Sequence, residues 1–364
     1  MRGGPPPARD ANALPWQNGA VMDPRTLTAL CALLLAVAPV APFPRPGSPQ
    51  HYIFFNRERA RIHDRAFLDT PAIAGAQIKY TWKELEPARD RYAFDHVLDD
   101  LAFLERRGKR LVLQLQDVTF DERSCVPDYL CTDSTFHGGA ARKYEAQGDD
   151  ESKARFDGWV ARRWDPAVRD RFRRLLRALG ARVGLRIEAI VLPETAVEFA
   201  GGERYRPEGF TFEAYRAGIR AQTLDTRAAF PASRVIQYAN FMPGEWLPGD
   251  DHGYLRSVYA LADSVDVGVG GPDLLPHRKG FRAHSYPLIA ARSRPAVPAG
   301  VAVQDGNLAE RDPVTGKPPT VSGLFSFARD SLHLDYLFWG TQEPYYSRDV
   351  LPWLRGQPAA TVRR

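Results

Sequence analysis

From about residue 48 onward, short apolar runs alternate with longer amphipathic stretches. The runs are His51–Asn56, Gly75–Tyr80, Arg110–Gln116, Ile187–Leu192, Arg234–Met242, Val265–Val269, Pro298–Val303 and Leu334–Trp339. Several are apolar at nearly every position, the pattern of strands buried on both faces. Helical spacing fills the gaps. Asp95 reads as the N-cap of a helix carrying Val97, Leu98, Leu101 and Leu104, closed by Gly108. Asp165-Pro166 opens a second helix, with Val168, Phe172, Leu175, Leu176 and Leu179 on one face and Gly180 at its end. Thr211 starts a third over Phe212–Phe230, and Tyr254–Ala262 and Val321–Leu332 are further helices. Strands separated by helices in this way predict an α/β fold, a closed (β/α)8 TIM barrel in one domain over residues 47–364. No Gly-x-Gly-x-x-Gly or Walker pattern follows any strand, which argues against a nucleotide-binding doubly wound sheet. After the third strand, Asp117 to about Trp159 shows no strong periodicity and predicts a long functional loop.

A hydrophobic content of 44% with 26% charged residues suits a globular core. The net charge of +5 is mild. Arginines mix with acids along helix faces, as in Arg169-Asp170-Arg171-Phe172-Arg173-Arg174, so a nucleic-acid partner is not expected. Residues 1–46 form a separate extension. Its start is Pro/Gly-rich, and Met22, read as the true start, precedes an apolar run over Leu27–Ala41. That length suits a signal peptide and falls short of the ~20 residues a membrane span needs. The extension therefore predicts export, periplasmic or extracellular, with a retained membrane anchor as the alternative. Export would permit a disulfide between Cys125 and Cys131, which stand close together in the long loop.

In a barrel of this kind the active site is built where strands end and βα loops begin. Those ends hold Asn56, Tyr80 with Trp82, Gln116 with Asp117, Glu194, Tyr238 with Asn240, Asp273, Gln304 with Asp305, and Trp339 leading to Glu343. Carboxylates and amides bond sugar hydroxyls, and aromatic faces stack on pyranose rings, so the set suits an oligo- or polysaccharide. Trp246, Tyr345 and Tyr346 are further aromatic platforms. Glu194 is the sharpest of these, since the apolar run Ile187–Leu192 delivers it to the barrel mouth, where burial would raise its pKa. His277, His284 and the acids around them lack metal-ligand spacing, no Gly-x-Ser-x-Gly elbow is present, and no cofactor is expected.

One stretch carries a more specific signal. Trp82-Lys-Glu-Leu-Glu-Pro87, followed by Tyr92-Ala-Phe94-Asp95, resembles the second βα unit of clan A glycoside hydrolases such as the β-galactosidase-type barrels. The resemblance implies an acid/base glutamate at the end of strand four, which Glu194 matches, and a sugar-flooring tryptophan after strand eight, which Trp339 matches. It also implies a nucleophilic glutamate on strand seven. There the chain has Gln304, an uncharged amide, so Asp305 is the expected second carboxylate, with Glu343 in reserve. Pro193 also replaces the family's usual asparagine before the acid/base glutamate. The expected function is glycoside hydrolysis of an unidentified glycan. The alternative is a non-catalytic carbohydrate-binding barrel of the cell envelope that has lost its nucleophile.

Overall fold

The computed structural model describes residues 47–360, apart from 148–150, 201, 293, 295 and 296. The expected leader or anchor within residues 1–46 lies outside the described residues. Among the described residues no helix is long and apolar enough to cross a membrane.

Eight strands close into a parallel barrel. They are β1 Gln50–Phe54, β2 Ile73–Thr81, β3 Arg110–Gln116, β4 Ala189–Leu192, β5 Arg234–Tyr238, β6 Gly268–Gly271, β7 Ala299–Val303 and β8 Tyr336–Gly340. Each pairs with its neighbours in sequence, and β8 closes onto β1 with Phe54 opposite Gly340. The fold is the expected (β/α)8 barrel. The principal helices are α1 Asp95–Arg106, α2 Pro166–Val183, α3 Phe212–Ala229 and α4 Tyr254–Ser264. Asp165 and Thr211 cap α2 and α3 as expected, accepting from Ala167 and Ala214 amides at 2.8 and 3.0 Å. Three details differ. Phe94, not Asp95, occupies the N-cap of α1, and Asp95 is the first helical residue, where its charge favours the positive end of the helix dipole. Helix α2 runs through Gly180 to Val183, because Gly180 is where the α3 residue Ala229 packs too closely for any side chain. The helix from Val321 ends at Ser326 and continues as a π-helical turn, Phe327–Ser331.

Strand alternation splits the core into two layers. Tyr52, Phe54, Val112, Val191, Ile236, Tyr238, Tyr336 and Phe338 fill the barrel interior. The intervening residues, such as Ile53, Leu113, Ile190, Leu337 and Trp339, face the helices. The interior aromatic rings need space that β6 and β7 supply with glycine: a Cβ on Gly300 would stand 2.8 Å from the Phe338 ring.

The segment after β3 is not an irregular loop. It folds into a three-stranded antiparallel sheet of Val118–Thr119, Ala140–Glu145 and Arg155–Ala161, with a helical turn at Asp128–Thr132. Gly158, at φ +104°, lets its strand pass where a Cβ would lie 2.1 Å from the Thr119 carbonyl. Within this segment the expected Cys125–Cys131 disulfide is absent. Both cysteines are free, Cys125 buried and Cys131 exposed, because the helical turn carries Cys131 outward while Cys125 packs inward. Burial pushes the Cys125 thiol up, away from its reactive thiolate form. In the native protein, a thiol alkylator followed by peptide mapping should therefore label Cys131 readily and Cys125 only after denaturation. Equal protection of both residues, relieved by reductant, would contradict the free-thiol arrangement.

Candidate active site

At the carboxyl ends of the strands lies a cavity of about 320 Å³. Its wall is built from inward positions of successive strands: Phe54 at the end of β1 and Asn56 after it, Lys79 on β2, Gln114 and Gln116 on β3. Pro193 and Glu194 follow β4, with Tyr238, Pro272, Ala302 and Gln304 completing the circuit. Val118 and Phe120 from the inserted sheet close one side.

Glu194 is the acidic group of this lining. The chain around it is clamped on every side. The Pro193 carbonyl accepts from Gln237 Nε2 at 2.8 Å, and the Glu194 carbonyl accepts from Arg163 Nη1 at 2.9 Å. Thr195 donates its amide to the Tyr238 carbonyl at 3.1 Å and its hydroxyl to the Phe241 carbonyl at 2.6 Å. The carboxylate itself accepts from Asn240 Nδ2 at 2.7 Å. Burial raises the Glu194 pKa, and the charge of Asp273 adds to that. The Asn240 hydrogen bond and the positive charges of Lys143 and Lys79 pull the other way.

Asp273 follows β6. One of its oxygens accepts from Gln304 Nε2 at 3.1 Å and from Asn307 Nδ2 at 2.8 Å. Its pKa is raised by burial, and these two donors oppose the rise. Its charge is felt by Glu194, Lys79 and Tyr238. Lys143, buried in the inserted sheet, bonds Asp157 at 3.0 Å and lies 3.6 Å from the centre of the Phe120 ring.

Gln116, Tyr238 and Gln304 therefore line the cavity as expected, and Asn240 and Asp273 bear on it through Glu194. Other expected positions lie elsewhere. Trp82 is fully buried between β2 and α2, its indole donating to Glu86 at 2.9 Å and its ring edge-on to Phe172. Tyr80 faces the same shell and donates to Asp100 at 2.7 Å. Trp339 is on the helix-facing side of β8, bonded to His51 Nδ1 at 3.2 Å and packed on Trp353. All three are one residue out of phase with the interior, where side chains alternate along a strand. Asp117 is buried in an ion pair with Arg163. Asp305 is exposed and outside the cavity lining. Glu343 is also exposed, accepting the Ser347 amide and hydroxyl at 3.2 and 2.6 Å to cap the C-terminal turn. Trp246 is exposed and stacked parallel on Phe241 at 5.7 Å, whereas Tyr346 is buried.

Lys79 and Gln114 were not among the residues expected to form the site. A lysine between Ile78 and Tyr80, and a glutamine between Leu113 and Leu115, are polar interruptions of apolar strands, and that was the available signal.

The chain is thus a closed (β/α)8 barrel with a carboxylate-bearing cavity at its strand ends. Among solved structures it is similar to the catalytic domain of β-amylase from Paenibacillus polymyxa, with a TM-score of 0.53 and 7% identity over 82% of this chain and 93% of that one. It is also similar to β-galactosidase from Bacillus circulans sp. alkalophilus, with a TM-score of 0.54, 10% identity and 81% of this chain covered. For β-galactosidase from the psychrophilic Marinomonas ef1 the TM-score is 0.50 at 11% identity, with 80% of this chain covered. The match spans 50% and 53% of those two β-galactosidases. No protein-family model matches the chain, and no curated protein matches it in sequence.

Proposed function

We propose that this barrel hydrolyses glycosidic bonds of an oligo- or polysaccharide outside the cytoplasm, with Glu194 as general acid/base and Asp273 as the second carboxylate. The observation that carries this reading is the unequal hydrogen bonding of two half-buried carboxylates bearing on one cavity. Asp273 has two hydrogen-bond donors that favour its charged form, whereas Glu194 has one and is raised further by Asp273 itself. In these roles Glu194 delivers the proton to the leaving oxygen, and Asp273, held by its two donors, attacks or activates water. Asp273 replaces Asp305 in this assignment because Asp305 is exposed, whereas Asp273 is half-buried and bonded to Gln304 of the cavity wall. The leader-like run Leu27–Ala41 supports the extracytoplasmic site of action.

The test is hydrolysis of a panel of aryl glycosides by the full chain and its variants. Asp273→Asn should lower kcat by ~10²-fold or more, the scale of a general base or nucleophile. Asp305→Asn and Glu343→Gln should stay near wild type. An active Asp273→Asn beside an inactive Asp305→Asn would restore the strand-seven assignment. Gln304, an amide where strand seven would supply a nucleophile, favours a second reading: a carbohydrate-binding barrel without catalysis. Saturable sugar binding with no turnover across the panel would select it.

A further inference from the structure

We propose that the sugar held in the cavity is acidic, its carboxylate paired with Lys79. This inference rests on the proposed function and narrows its substrate class. Lys79 points into the barrel from β2, with its ammonium 5.1 Å from the centre of the Phe54 ring. Among the described residues its side chain makes no hydrogen bond and no ion pair within 4.0 Å. The other charged groups around the cavity are already met: Glu194 by Asn240, Lys143 by Asp157, and Asp273 by Gln304 and Asn307. A half-buried ammonium with no direct hydrogen-bond or ion-pair partner is poorly satisfied, and a ligand carboxylate would supply that partner.

The groups beside it fit the rest of a sugar. Gln114 and Gln116 are only 6% and 7% exposed, both line the cavity, and their amide oxygens have no partner. Buried amides normally find partners, so these are poised for a ligand's hydroxyls. The charge count selects the anion. One unpaired cation shares the cavity with the fields of Glu194 and Asp273. That balance admits a single negative charge and repels a phosphate dianion. A neutral hexose could satisfy the amides yet would leave the ammonium without a direct ionic partner.

The experiment measures binding of D-glucuronate and D-galacturonate against D-glucose and D-galactose to the full chain by calorimetry. Free monosaccharides have no glycosidic bond, so turnover does not intervene. The expected result is at least ~10-fold tighter binding of a uronate than of its neutral counterpart, the scale of one charge-assisted hydrogen bond. The preference should weaken with added salt, collapse in Lys79→Gln and persist in Lys79→Arg. Equal or tighter binding of the neutral sugars overturns the acidic-sugar inference and leaves the proposed function standing. Failure of all four sugars to bind overturns the acidic-sugar inference, while hydrolysis of the aryl glycoside panel decides the proposed function separately. The wild-type comparison decides the matter even if Lys79→Gln does not fold.

Discussion

Replacing Glu194 by Gln should abolish turnover, by ~10²–10⁴-fold in kcat, while the far-ultraviolet circular dichroism stays that of wild type. The amide keeps the shape of the side chain, and its oxygen can still accept from Asn240. It cannot pass a proton to a leaving oxygen. The same substitution should stabilise the fold near neutral pH. Burial raises the Glu194 pKa above its ordinary value of 4.5, so the folded state holds this proton more tightly than the unfolded chain does. A group shifted upward contributes fully to stability below its unfolded pKa and loses that contribution as pH rises through its folded pKa. At pH 7 the unfolded wild type ionises this carboxyl freely, whereas the folded state must either hold its proton or bear the charge away from solvent; the glutamine variant does neither, so melting should occur at a higher temperature in the variant. Near pH 4 the difference should vanish. Wild-type kcat should fall on its alkaline limb as Glu194 loses its proton, at a pH above that of an ordinary glutamate. Retained activity in Glu194→Gln, or a variant less stable than wild type at neutral pH, would sink this assignment.

The strands were legible because a buried parallel strand is written as a near-continuous apolar run. That same continuity hid the facing of individual residues. In Tyr336-Leu337-Phe338-Trp339 every position is apolar, so the run carries no alternation to show that Phe338 fills the barrel and Trp339 faces the helices. In β2, by contrast, Gln77, Lys79 and Thr81 alternate with Ile78 and Tyr80, so the outward facing of Tyr80 was written in the chain, and Trp82 opens the helical turn that follows. The Trp82-to-Asp95 element is consequently a signature of scaffold: Trp82 and Glu86 tie β2 to α2, and Asp95 begins α1. Glu194 was legible because the polar end of an apolar strand is the point of the barrel where a carboxylate reaches the mouth. Asp273 was harder to rank, since its importance comes from partners 31 and 34 residues away, Gln304 and Asn307. The inserted sheet was illegible because charged residues interrupt its longer strands, Ala140–Glu145 and Arg155–Ala161, and its third, Val118–Thr119, has only two residues and pairs with a segment far along the chain.

Arg163 should prove as indispensable to the site as the carboxylate, although it stands behind the cavity. Arg163 and Asp117 are 2% and 1% exposed and form a two-pronged pair at 2.6 and 3.0 Å. The same guanidinium donates to the Glu194 carbonyl at 2.9 Å and to the Tyr215 hydroxyl at 2.7 Å, and that hydroxyl in turn donates to the Thr195 carbonyl at 3.0 Å. One side chain thus joins the end of β3, the inserted sheet, α3 and the backbone of Glu194. Removing either partner strands a buried charge, so Arg163→Met or Asp117→Leu should each lower stability by ~3–5 kcal/mol, read as a markedly lower melting temperature. Replacing the two together removes both charges and should recover much of that loss, because apolar residues of similar volume often substitute well for a buried ion pair. The double variant still lacks the donor to the Glu194 carbonyl, so its kcat should remain well below wild type. Recovery of both stability and kcat would show that the pair serves the fold alone. Recovery of stability without kcat identifies Arg163 as the residue that positions Glu194.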